Sequence, residues 1–150
     1  MIVADDKNME QSAAEEISTK ETYQMPEENL AIPKLPEFHF VSADLPDGAR
    51  RVTAEGQGPK QGFEITISDY DESGPITAER IKKDIPDLVV KNHENIKIAG
   101  GVEAFSFFGH DDGLGETFEV WFSAQGKLYQ VVTWAEYKKE LLNILQSIEL

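Results

Sequence analysis

The chain contains no cysteine. Disulfides, thiol nucleophiles and thiolate metal sites are therefore excluded. Positive charge is scarce: 14 Lys and Arg face 28 Asp and Glu, a formal net charge of −14. Such a surface repels phosphate backbones and anionic headgroups, which argues against a nucleic-acid partner. No apolar run approaches the roughly 18 residues of a membrane helix, so no transmembrane segment is expected. The first residues, Met1 to Asp6, have neither the basic region nor the apolar core of a signal peptide.

Catalytic signatures are missing as well. The imidazoles are His39, His93 and His110, and none stands beside a Ser nucleophile motif. There is no His-Glu-x-x-His. Gly56, Gly58 and Gly62 form a glycine cluster, but a strand pattern follows rather than the helix start a phosphate cradle needs. A non-catalytic chain is the expectation.

What is present falls into two parts. Residues 1–36 carry eight acids, three lysines and prolines at 26, 33 and 36, with few large apolar residues. This composition reads as an acidic flexible tether, extended from Pro26 to Pro36, with Leu30, Ile32 and Leu35 available to dock. Residues 37–150 read as one domain, long enough to bury a core.

Within that domain the periods are clear. Phe38–Val41 and Arg50–Glu55 are short strands flanking a Leu45-Pro46-Asp47-Gly48 turn. Phe63, Ile65 and Ile67 alternate with Glu64, Thr66 and Ser68, as in a strand with one buried face. Thr77 is placed to cap a helix, with Ile76 and Ile81 at staple spacing and Pro86 as the stop. Leu88–Ile98 is extended and broken near Asn92–Asn95, and Gly100-Gly101 turns into a strand over Val102–Phe108. Phe118, Val120 and Phe122 share one strand face, with Glu119 and Trp121 on the other. Leu128–Trp134 is the hairpin partner across Gln125-Gly126. Tyr137, Leu141, Ile144, Leu145 and Ile148 fall on one face of a closing helix. The order of strands, helix, strands, helix predicts an α+β fold: an antiparallel sheet flanked by helices.

Two acidic loops invite a cation. Gly109-His110-Asp111-Asp112-Gly113-Leu114-Gly115-Glu116 sets an imidazole beside three carboxylates, and Asp69-Tyr70-Asp71-Glu72 ends a strand. If the loops meet, Asp69, Asp71, Asp111, Asp112 and Glu116 would offer the several oxygens that Ca²⁺ prefers. The spacing is not that of an EF-hand. The other reading is that both are solvated turns, since turns require Asp and Gly. The late aromatics are also two-sided. Trp121 and Tyr129 form an anchor pair for a protein partner if one sheet face is open, and core if both faces are covered.

Ile96–Phe105, Glu119-Val120-Trp121-Phe122, Gly126–Val131 and Leu145-Gln146-Ser147-Ile148, taken in order, resemble the strand pair, last hairpin and closing helix of the PsbP-like superfamily. That superfamily includes the photosystem II extrinsic subunit, Ran-binding Mog proteins and bacterial DcrB-like lipoproteins. The resemblance covers residues 37–150 and implies an α/β/α sandwich that binds other proteins without catalysis. It also implies a secreted or membrane-tethered bacterial protein of the cell envelope. The Leu45-Pro46-Asp47-Gly48-Ala49 turn lacks the Trp common in such domains. A cystatin-like sheet is the alternative fold, and a divalent-cation or small-ligand module the alternative function.

Overall fold

A computed structural model of the chain describes residues 22–25, 30–33, 38–70 and 76–149. Strands β1 (Thr22–Met25) and β2 (Leu30–Pro33) pair with each other, antiparallel. They fall inside the segment read as a tether, and β2 lies within the stretch from Pro26 to Pro36 read as extended, beside the closing helix. Proline and polar composition hid the pairing, because strands of four residues carry almost no period to read.

The main sheet has seven strands. They are β3 (His39–Asp44), β4 (Arg50–Glu55), β5 (Gly62–Asp69), β6 (Lys91–Lys97), β7 (Glu103–Asp111), β8 (Gly115–Ala124) and β9 (Lys127–Trp134). Their spatial order is β3-β4-β5-β9-β8-β7-β6, and every pairing is antiparallel. Hairpins build most of it, and the crossover between β5 and β6 carries helix α1 (Ala78–Asp84). The Thr77 hydroxyl caps α1, accepting from the Arg80 amide at 3.2 Å, and the helix ends before Pro86 as its sequence requires. A 3₁₀ turn over Ala135–Tyr137 leads into helix α2 (Lys138–Leu145).

The two faces of the sheet are covered unequally. On one face, Val52, Ala54, Phe63, Ile65, Ile67, Phe118, Val120, Phe122, Tyr129 and Val131 form a continuous apolar layer, sealed by Tyr137, Leu141, Ile144, Leu145 and Ile148. Burying each large side chain contributes about 1.5–3 kcal/mol, so this layer is the main source of stability. On the other face a smaller core joins Phe105, Phe107 and Trp121 to Ile76 and Ile81, with Leu88 and Val90 packed alongside. That core is centred on β7 and β8 and reaches Leu128 at the start of β9 and Tyr70 just past β5. The helices are seven and eight residues long. The expected sandwich is therefore partial: an antiparallel sheet, covered on one side except along β3, and half covered on the other.

The end strands also differ. β6 slips register between Lys91 and Glu94, where Asn92 has φ +50°, and it bears Lys91, Glu94 and Lys97. β3 pairs with β4 in unbroken register from His39 to Asp44.

Candidate functional site

The acidic residues do not converge. Asp69 ends β5 opposite Lys127, which also pairs with Ala124 at the far end of β8. Asp111, Asp112 and Glu116 sit around the β7–β8 hairpin, where Asp111 pairs with Gly115 at the near end of β8. The ten-residue strand between them spans about 30 Å at the usual rise. The two acidic loops are thus at opposite ends of the sheet and do not meet; Asp71 lies outside the described residues. Among the described residues no three His, Asp or Glu side chains are grouped to hold a metal.

Local bonds also occupy these carboxylates. Asp111 accepts from the Gly113 and Leu114 amides at 2.7 and 3.0 Å, closing its own turn. Glu116 lies 3.0 Å from His110 Nδ1 and 3.2 Å from Lys91 Nζ. Those partners, His110 first, hold its pKa below the usual glutamate value. Asp112 faces His110 Nε2 at 3.6 Å. Asp69 accepts from Lys127 at 2.7 Å, and this hydrogen bond lowers its pKa.

Trp121 and Tyr129 are not an anchor pair. The two-residue turn Gln125-Gly126, with φ of +55° and +76°, sets Lys127 opposite Ala124. Tyr129 then falls opposite Phe122, stacked at 4.9 Å, on the face sealed by α2. Trp121 points to the other face against Phe107. Both rings are buried.

A different site emerges on the half-covered face. One row of side chains crosses the sheet there by successive pairing: Phe107, Glu119, Val132, Glu64 and Thr53. It begins under the α1 side core, where Phe107 is fully buried, and ends in side chains half open to solvent. Glu119 stands at the boundary. It is 8% exposed and accepts from Trp121 Nε1 at 3.0 Å and Thr117 Oγ1 at 3.3 Å. Burial pushes its carboxyl above the ordinary 4.5, against the pull of those two bonds, and the charge of Asp111 adds to the rise. Gly109 makes the arrangement possible: a Cβ there would lie 3.1–3.2 Å from Thr117 Oγ1, the Val89 carbonyl and Glu119 Oε2.

Beyond this boundary lies an open hollow of about 470 Å³. Its walls include Val132, Trp134 and Leu114 on one side and Glu55, Glu64 and the Gly56–Gln61 loop on the other. The loop is held by the Gly56 amide on the Gln61 carbonyl and the Gly58 amide on Gln61 Oε1. Leu114 is 40% exposed. Sequence reasoning had passed over Trp134, Leu114 and Glu119 as site residues. Strand alternation places Trp134 on the face of Val132, away from Tyr129, but does not say whether that face is open.

No protein-family model matches the sequence, and no curated protein does either. The fold does match solved structures. One is the solution structure of cyanobacterial PsbP (CyanoP) from Synechocystis sp. PCC 6803, with a TM-score of 0.59 and 14% identity over 87% of this chain and 91% of that one. At that identity the likeness establishes architecture, and the architecture of this chain is PsbP-like.

Proposed function

We propose that this chain is a non-catalytic protein-interaction domain, the accessory part of a secreted or envelope-tethered protein. The observation that carries the reading is the half-bare sheet face. Arg51, Thr53, Glu64, Thr66, Ser68, Gln130, Val132 and Trp134 leave it at least partly exposed, with a hollow at one end, and the small core under α1 does not extend over it. Rigid strands hold this surface, and it combines aromatic, aliphatic and hydrogen-bonding groups as partner surfaces do. The PsbP-like architecture supports the same reading.

A photo-crosslinking side chain in place of Gln130 tests it in the source cells, with Lys139 on the exposed side of α2 as control. The expected result is a discrete adduct at position 130 and none at 139. Equal labelling at both, or none at 130, would remove the reading. Intact mass of the mature protein from an envelope fraction tests the tether: a lipid-sized increment supports it, and an unmodified chain confined to the cytosol counts against it.

A further inference from the structure

We infer that the hollow beside Trp134 receives a basic side chain, an arginine or lysine, from the partner protein. This rests on the reading of the half-bare face as the partner surface and names what that surface recognises. Val132 pairs with Glu64 across β9 and β5, and Glu55 pairs with Gly62 across β4 and β5. Two residues further along β9 from Val132 comes Trp134; two residues back along β5 from Glu64 comes Gly62. Gly62 has no side chain, so space is left between the indole and the Glu55 carboxylate. The hollow therefore has an aromatic and aliphatic wall at one side and two carboxylates at the other.

The charges nearby are unbalanced. Lys60 on the rim is engaged by Glu136 at 2.9 Å, and that bond lowers the Glu136 pKa. Arg51 lies 3.6 Å from Glu64. Glu55 has no cation partner among the described residues. A guanidinium or ammonium group would compensate it, while its methylene stem lies along Val132 and Trp134. Burying the stem, stacking on indole and neutralising a carboxylate are three gains that a cationic chain combines. An acidic or purely aliphatic side chain would forgo at least one of them. The net charge of −14 steers a basic partner toward the surface at long range.

The test titrates the full chain with the peptide acetyl-Gly-Leu-Arg-Leu-Gly-amide, followed by amide chemical shifts. The same peptide with citrulline for arginine is the neutral control. Expected shifts are confined to residues 53–64 and 132–134, are weakened at least fivefold by 0.5 M NaCl, and are absent with citrulline. Glu55→Gln with Glu64→Gln should weaken binding at least tenfold, and so should Trp134→Ala. Asp84→Asn, remote from the hollow, should leave it unchanged. The carboxamide variants alter exposed groups only, so they report even if the Trp134 variant fails to fold. Equal binding of arginine and citrulline peptides, or shifts spread over the acidic surface, would overturn the inference. So would failure to bind. If crosslinking at position 130 still captures a partner in that case, the interaction reading stands and only the basic side chain falls.

Discussion

Phe107 and Val132 occupy the same row of the same sheet face, separated only by Glu119, yet their surroundings are opposite. Phe107 has Ile76, Ile81, Phe105 and Trp121 around it and is sealed from water. Val132 looks into an open hollow. The difference comes from the crossover that carries α1. A seven-residue helix and the segment through Leu88 and Val90 cover β7, β8 and the Leu128 end of β9, and leave Val132 open. Coverage of a sheet is thus set by the length of its connections, and the strands left bare keep polar and half-exposed residues: Thr53, Glu64, Thr66, Gln130. One half of the face serves stability; the other remains available to a partner.

The sharpest way to break this contrast is to truncate both ends of the row. Phe107→Ala should cost about 3–5 kcal/mol, the range for a fully enclosed aromatic. Val132→Ala should cost about 1 kcal/mol or less, since it leaves no enclosed cavity. Urea denaturation with unchanged m-values checks both. Comparable losses would mean that the open half is packed after all.

The boundary residue gives the next effect. Because the folded pKa of Glu119 lies above its unfolded value of 4.5, the native state binds more protons than the unfolded state once pH exceeds that value. Stability from this group is complete below 4.5 and declines as pH rises through the folded pKa. Glu119→Gln keeps an acceptor for Trp121 and should remove that part of the decline. Melting temperatures between pH 4 and pH 8 compare the two: the variant should gain on the parent as pH rises. Parallel profiles would show that the carboxyl is ionised at no cost.

Smaller still is the helix cap. Thr77→Ala removes the acceptor for the Arg80 amide and should cost about 1 kcal/mol. Because α1 covers one half only, hydrogen exchange should quicken in β7 and β8 more than in β4 and β5. The exposed Arg51–Glu64 pair, at 3.6 Å, should contribute about 0–1 kcal/mol by double-mutant cycle.

The strand periods, the Thr77 cap, the Pro86 stop and the face of α2 were all readable from the chain, because each rests on neighbours in sequence. The alternation of Phe118, Glu119, Val120 and Trp121 even placed Glu119 and Trp121 together. Two things were not readable. Whether Asp69 meets Asp111 depends on strand order, since inserting β9 beside β5 sends them to opposite ends. Whether Trp121 or Trp134 is exposed depends on how far the α1 crossover reaches, which no periodicity encodes.

The irregular end strand has a consequence for self-association. Sheets grow into fibres when both outermost strands can template another chain. The slipped register at Asn92 and the charges of Lys91, Glu94 and Lys97 spoil that template at β6. Among the described strands this leaves the β3 edge as the one able to recruit a second sheet, and recruitment from one side alone is self-terminating. Two copies meeting there would close as a twofold pair, leaving no reactive end for a third. A bulge at one edge would thereby limit edge-to-edge growth to a pair.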